Sequence, residues 1–431
     1  MFSLDFTHDP SARSWVEGAD DHKDFPIQNL ALGHFSPPSK QSPRIGVAIG
    51  DRILDLKGAA KHLELHQDIH YALKHPFLNL LLALPTKRRV SLRHSLFRAL
   101  SDKKMADILK KHLYKSDDCL MHLPFVTKDY TDFYTGIHHA TKVGSLFRPD
   151  NPLLPNYKHV PIAYHGRAST LFTPDVPVIR PKGQIKAADR DEPYFGPSQR
   201  LDYEMELGVY FGQYAPGGIT IANAYEHIAG YCLLNDWSAR DIQAWEYQPL
   251  GPFLAKNFHT TLSAWVITPE ALAPFRGPCL KRAKDDPRPL PYLLNEDDQQ
   301  RGALNITVEV AIETEQMREK GLGFHTLSRA MVNEAMYWSP AQMLAHHASN
   351  GCLMQPGDVL GTGTLSGPRP EQGGSLLELS DGGKTPISLP SGEPRRFLED
   401  LDCVRLSARC EAPDFVSIGF GDCTTLVQPA L

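Results

Sequence analysis

The stretch DYEMELGVYFG, Asp202 to Gly212, alternates: Tyr203, Met205, Leu207 and Val209 point one way, and Glu204 and Glu206 the other. A period of two reads as a half-buried strand. Two carboxylates on one strand face repel each other unless a cation lies between them or water screens them. An isolated Glu-x-Glu is ordinarily a solvated face, so the pair alone decides nothing. The apolar run Ile228 to Leu234 then reads as a buried strand, and Asn235-Asp236-Trp237-Ser238-Ala239-Arg240-Asp241 opens a polar, helical segment at its end. Asp236 thus stands at a strand end, although an Asp there also serves as a helix N-cap. Gln243, Tyr247 and Lys256 follow closely. An ordinary surface seldom gathers two acids on a strand, an acid at a strand end, an amide, a phenol and an ammonium.

Strand patterns continue on either side. Ala303 to Val308 and the period-two series Val404, Leu406, Ala408 and Cys410 extend a β-rich unit, and the charged, Pro-containing Lys281 to Gln300 reads as a surface excursion between strands. Ser339-Pro340 supplies an N-cap and first-turn proline for a helix to Ala348. The glycine-rich Gly361-Thr362-Gly363-Thr364-Leu365-Ser366-Gly367 lets backbone approach a ligand but lacks the Lys and spacing of a phosphate loop. Ser375 to Leu379 reads as a strand with one acid, Glu378, that either faces solvent or is held in a site. Asp132 and His139, seven residues apart, would share a face if both lay on a helix. Arg148 beyond them is suited to grip a carboxylate through two parallel hydrogen bonds.

Toward the amino terminus, Arg44 to Ile49, the Gly50-Asp51 turn and Arg52 to Leu56 read as a hairpin in a small barrel. From His62 to Leu113 the spacing becomes helical, with Leu92, Leu96, Phe97 and Leu100 on one stripe. His62, His66, His70 and His75 read as core or surface side chains. Residues 1–23 are polar and aperiodic and read as a flexible extension. The expected organisation is this extension, an amino-terminal unit at 24–123 and a larger unit at 124–431.

With 45 Lys and Arg against 50 Asp and Glu, the net charge of −5 gives no reason to expect nucleic acid or an anionic membrane as a partner. The longest apolar runs, such as Phe77 to Leu84, fall short of the roughly twenty residues of a membrane helix. Met1 to Asp5 shows no secretory signal, and the seven cysteines form no Cys-x-x-Cys pair, so the expectation is a cytoplasmic protein with reduced thiols and no thiolate zinc.

These pieces resemble one family. Asp132-Phe133-Tyr134 followed by His139, Glu204-x-Glu206, NDWSARDIQ-x-WEY (Asn235 to Tyr247), Gly251-Pro252-Phe253-Leu254-Ala255-Lys256 and Gly363-Thr364-x-Ser366-Gly367 are similar to the fumarylacetoacetate hydrolase family. DFPIQNL, PRIGVAIGD and ILDL, between Asp24 and Leu56, extend the resemblance over 24–431. It implies a mainly β fold with α, in which a small barrel-like and helical domain precedes a large β-sandwich roll, assembled as a homodimer. It also implies hydrolysis of the β-diketo acid 4-fumarylacetoacetate to fumarate and acetoacetate, the last step of tyrosine and phenylalanine breakdown. Carried over by motif position, Asp132, Glu204, Glu206 and Asp236 are metal ligands, with further cation contacts at Lys256 and Thr260. His139 becomes the general base and Glu378 its orienting partner, while Arg240, Gln243 and Lys256 stabilise developing charge. Tyr134, Arg148, Tyr164, Gln243, Tyr247 and Thr364 match substrate-contacting positions. All-carboxylate ligation favours Ca²⁺ or Mg²⁺ over zinc or copper. One departure is His259, between Phe258 and Thr260, where the family pattern leads us to expect glycine.

Rival readings remain. An acylpyruvate-type hydrolase or a β-keto acid decarboxylase of the same family would use the same metal with a different carboxylate clamp. A non-catalytic cation-binding protein would use the acids alone. A serine hydrolase is disfavoured by the lack of a Gly-x-Ser-x-Gly elbow.

Overall fold

The strands Met205–Phe211 and Ile228–Asp236 pair antiparallel in the middle of a seven-stranded sheet. Its spatial order is Ala163–His165, Tyr130–Phe133, Val359–Gly361, Met205–Phe211, Ile228–Asp236, Thr260–Leu262 and Leu171–Phe172. The structure, a computed structural model, describes residues 3–38, 42–187, 189–215 and 217–431; Met1 and Phe2 of the expected extension lie outside the described residues.

The expectation of a half-buried strand is corrected here, because every residue of Met205–Phe211 is buried. The alternation holds, but both faces are covered. On one, Met205, Leu207, Val209 and Phe211 share a core with Ile306, Val308, Val310 and Ile312, and with Val404, Leu406 and Ala408. On the other, Tyr210, Cys232, Leu234 and Val359 pack against Ile27, Leu30, Leu32, Val47 and Leu96 from the amino-terminal part of the chain. Each such aliphatic side chain contributes roughly 1.5–3 kcal/mol when fully buried. Polar groups at the end of this sheet are therefore sealed from water on both sides.

The layer behind the first face is a six-stranded sheet. Its order is His325–Met331, Ile306–Glu313, Cys403–Cys410, Cys423–Gln428 and Val178–Ile179, with Ile418–Gly419 also pairing Cys403–Cys410. Burial along Cys403–Cys410 alternates as its sequence period requires. Ser339 and Gln342 form a capping box that starts the helix Pro340–Ala348. The amino-terminal sheet contains Leu32–Ser36, Arg44–Ile49, Arg52–Asp55, Leu113–Lys115 and Leu120–His122, and its outer strand is Trp265–Val266. That sheet is completed by a strand from the larger unit. The fold is a mixed α/β arrangement of several sheets, an amino-terminal unit followed by a large carboxy-terminal one. No helix among the described residues is long and apolar enough to cross a membrane.

Within the expected extension, residues 3–23 lie as a strap on the helix Thr86–Ser101. Arg93, buried in that helix, donates to the Thr7 hydroxyl and to the carbonyls of Gln28 and Asn29. Asp5 meets His94 Nε2 at 2.7 Å, Trp15 Nε1 donates to the Ala99 carbonyl, and His8 Nε2 meets the Glu270 carbonyl at 2.9 Å. The strap lacks apolar periodicity because polar groups, not a hydrophobic stripe, hold it down. Next to it, the Asn29 side chain donates to the Gly419 carbonyl and the Gly419 amide to the Asp24 carbonyl, which joins the two ends of the chain. Arg93→Leu keeps an apolar stem but leaves three buried acceptors without a donor. It is expected to cost about 2–4 kcal/mol in urea unfolding and to make residues 3–23 sensitive to limited proteolysis.

Candidate active site

Strand register brings three acids to one place. Asp132 lies opposite Gly361, and Gly361 opposite Gly208 on the strand that carries Glu206. Asp236 closes the next strand, opposite Thr260. Oxygens of Asp132, Glu206 and Asp236 all lie within 4.8 Å of one another. The space between Asp132 and Glu206 exists because residue 361 has no side chain: a Cβ there would come within 2.3 Å of Asp132 Oδ1 and 2.9 Å of Glu206 Oε2. Asp132 sits on the strand Tyr130–Phe133 and His139 on the helix Ile137–Phe147, so the expectation that they share one helix face is corrected. A strand-to-helix turn, not helical periodicity, separates them, with Asp132 in the acidic cluster and His139 beside Glu204.

The centre is heavily acidic. Five buried carboxylates, Asp132, Asp202, Glu204, Glu206 and Asp236, face two buried cations, Arg240 and Lys256. Lys256 Nζ donates to Glu204 Oε2 at 2.6 Å and to Asp236 Oδ2 at 2.5 Å. Arg240 donates to Glu204 Oε1 at 2.6 Å and to Asp202 Oδ2 at 2.9 Å. Burial and mutual repulsion push the Asp132 and Glu206 carboxyls well above their ordinary range. Glu204 is the exception: despite burial, Lys256 and Arg240 hold its carboxyl down. Asp132 Oδ1, Glu206 Oε1 and Asp236 Oδ1 are each buried without a hydrogen-bond partner. Three unpartnered carboxylate oxygens in one cluster, with an excess of negative charge, fit a hard divalent cation. Of the four acids expected as ligands, Asp132, Glu206 and Asp236 form the cluster, and Glu204 adjoins it through Lys256. Among the described residues this is the one such cluster of His, Cys, Asp and Glu, and the histidines at 62, 66, 70 and 75 form none.

Beside it stands a dyad. His139 Nδ1 lies 2.8 Å from Glu378 Oε2, and its Nε2 points toward Glu204 Oε1 at 3.9 Å. The strand expected at Ser375–Leu379 is instead a single helical turn, Leu376–Leu379, N-capped by Ser375. The signal for it was in the sequence, since Ser375-x-x-Glu378 is the spacing of a capping box. Ser366, in the sequence only part of a motif, and Ser375 have no role legible there; they donate to Glu378 Oε2 at 3.0 and 2.8 Å. Burial raises the Glu378 carboxyl, but the His139 ring and the two hydroxyls outweigh it and hold it below its ordinary value. An ionised Glu378 fixes the ring so that Nδ1 carries the proton and Nε2 is free to accept one.

Other expected residues gather around these groups. The Tyr164 hydroxyl donates to Asp236 Oδ2 at 2.9 Å, and the Tyr134 ring stands edge-on to His139 with centroids 5.6 Å apart. Gln243 Oε1 accepts from Arg240 at 3.2 Å. Arg148 caps the end of the His139 helix, with Nη2 on the Pro152 carbonyl and a buried Nε without a partner. Thr364 Oγ1 and Arg240 Nη2 are likewise buried and unpartnered. Thr260 is buried beside Asp236, and Tyr247 lies half-buried at the end of the helix Arg240–Glu246. His259 turns its ring onto Phe172, centroids 4.5 Å apart, and burial pushes its pKa down to about 4, so the ring is neutral.

The description "Fumarylacetoacetate (FAA) hydrolase C-terminal" matches residues 129–428, and "Fumarylacetoacetase N-terminal" matches 28–124. The chain is 44% identical to the fumarylacetoacetase of Homo sapiens over 434 residues, covering 97% of this chain and 99% of that protein. It is 42% identical to the fumarylacetoacetase of Arabidopsis thaliana, covering 97% and 99%, and 43% identical to that of Caenorhabditis elegans, covering 95% and 97%. With both halves matched and relatives above 40% identity over nearly their full length, the chain belongs to the fumarylacetoacetate hydrolase family.

Proposed function

We propose that this chain hydrolyses 4-fumarylacetoacetate to fumarate and acetoacetate, the last step of tyrosine and phenylalanine breakdown, with its catalytic unit at 124–431 and a smaller unit at 24–123. The full-length relatives named fumarylacetoacetase favour this substrate over an acylpyruvate or a β-keto acid. One observation carries the mechanism: Glu204 touches both halves of the site, with Oε1 3.9 Å from His139 Nε2 and Oε2 sharing Lys256 with Asp236. A proton acceptor therefore faces the acidic cluster across a single carboxylate.

In this reading Asp132, Glu206 and Asp236, with Glu204 alongside, hold Ca²⁺ or Mg²⁺, and Lys256 and Thr260 border the site. Such a cation, when bound, supplies Lewis-acid polarisation to a β-dicarbonyl. His139, oriented by Glu378, takes a proton from the water that attacks the carbonyl carbon of the fumaryl group. Carbon is a poor leaving group, so charge developing on oxygen needs fixed donors. Arg240, whose Nη2 is free and buried, meets it together with Gln243 and Lys256. The carbon–carbon bond breaks, its electron pair stays with the acetoacetate carbon as an enolate, and that carbon takes up a proton. Arg148, Tyr134, Tyr164, Tyr247 and Thr364 bind the substrate's carboxylates and oxygens; the unpartnered Arg148 Nε and Thr364 Oγ1 suit this. The same reading places the enzyme in the cytoplasm as a homodimer. Exposed Trp245, Leu250 and Phe253, on the segment leading to Lys256, offer apolar surface of the kind a second copy covers.

The purified chain is expected to turn over fumarylacetoacetate, followed by its absorbance, far faster than acylpyruvates; the reverse preference would sink the substrate assignment. His139→Ala should lower kcat by at least about 100-fold without a matching loss of thermal stability, and an unchanged rate would leave the cluster a purely structural cation site. Chelation should abolish activity and Ca²⁺ or Mg²⁺ restore it. Gly361→Ala, which drives a methyl group between Asp132 and Glu206, should abolish divalent-cation binding in a calorimetric titration, and wild-type affinity in that variant would exclude this cluster as the cation site.

A further inference from the structure

Asp202 is fully buried two residues before Glu204, and none of the roles assigned above falls on it. Both of its oxygens are engaged. Oδ1 accepts from the amides of Tyr203 at 2.9 Å and Leu376 at 2.8 Å. Oδ2 accepts from the amide of Leu377 at 3.0 Å and from Arg240 Nε at 2.9 Å. Leu376 and Leu377 are the first two residues of the turn that carries Glu378. The same guanidinium uses Nη1 for Glu204 and Gln243, which leaves Nη2 free.

We propose that Asp202 is a positioning residue for the hydrolysis: one carboxylate fixes the Glu378 turn, and through it the His139 ring, while it also fixes the guanidinium plane of Arg240. The proton acceptor and the group that meets the oxyanion are thereby held at a set separation. All four partners of Asp202 are donors, so the position demands a group that only accepts. Asparagine has nearly the same shape but turns an NH₂ toward donors, so one side of the link must open. Ser366 and Ser375 hold the Glu378 carboxylate itself, whereas Asp202 ties the turn beneath it to Arg240. Displacements of about 1 Å in such supports cost up to about 100-fold in rate, because the reacting groups no longer meet at hydrogen-bonding distance.

The inference rests on the hydrolase reading, and the test separates the two. In the cation-loaded full-length enzyme, Asp202→Asn should lower kcat on fumarylacetoacetate by about 10- to 100-fold with KM changed by less than about threefold. The Leu376 and Leu377 amides should exchange hydrogen faster while cation affinity stays unchanged. In a Glu378→Gln background the same substitution should cost less than it does in the unmutated enzyme, because the His139 half of the link is already lost and only the Arg240 half remains. Asp202→Glu keeps an acceptor-only group and should retain more activity than Asp202→Asn. A folded Asp202→Asn enzyme with wild-type kcat, a loss confined to KM, or a full multiplicative loss on top of Glu378→Gln would each overturn the proposal. Failure of both variants to fold would overturn it too, making Asp202 a core residue only. Absence of turnover in the unmutated enzyme defeats the hydrolase reading and this inference together, whereas wild-type turnover with an indifferent Asp202→Asn defeats this one alone.

Discussion

Uncompensated negative charge, buried between two layers of apolar side chains, is the constraint on which the centre of this molecule depends. Asp132, Asp202, Glu204, Glu206 and Asp236 are all inside, and Arg240 and Lys256 cannot neutralise them. Taking charges out of water costs several kcal/mol per ion even after relaxation, so such an arrangement persists only where partners repay it. Lys256 bridges Glu204 and Asp236, Arg240 bridges Glu204 and Asp202, the Gly363 amide donates to Glu206, and one oxygen each of Asp132, Glu206 and Asp236 is left without a partner. The sheet supplies the rigidity: paired strands leave the acids no route apart, and the apolar faces exclude the water that would screen them.

Chemistry enters from outside the sheet. The helix Ile137–Phe147 brings His139 to the strand ends, and the turn Leu376–Leu379 brings Glu378 behind it. Glu204 stands between these two systems, held low in pKa by its cations although the acids around it are pushed up. The contrast has a local cause. Arg240 and Lys256 both lie on Glu204, whereas after burial the strongest charge acting on Asp132 is that of Asp236, and on Glu206 that of Asp132.

Features set by local sequence were readable: the Arg44–Asp55 hairpin, the Ser339 cap before Pro340, and the alternating Cys403–Cys410 strand. Motif words pointed to Asp132, Glu206 and Asp236, whose convergence comes from strand register between distant segments. What stayed hidden depended on tertiary packing. Glu204 and Glu206 looked half-solvated because alternation tells which residues share a face, not whether both faces are covered. Leu376 and Leu377 resembled a strand because four residues are too few to display a helical period, although the Ser375 cap marked the turn. The amino-terminal strap showed no pattern because its anchor, Arg93, lies on another element and would ordinarily be placed on the surface. Ser366, Ser375 and Gly361 could be quoted from the sequence but not given a role, for the same reason: their significance lies in what they adjoin.

The hydrogen bonds between Asn29 or Asp24 and Gly419 carry a consequence for how the chain acquires its shape. A ribosome releases the amino-terminal sheet long before Trp265–Val266, its outer strand, and longer still before Gly419. Until then that edge has open backbone groups and uncovered apolar side chains, the condition in which nascent chains invite aggregation. Contacts so distant along the chain also slow folding, since each must close a large loop before it returns any energy. The amino-terminal sheet is therefore synthesised well before it can be finished, and its completion waits on segments far downstream in the chain.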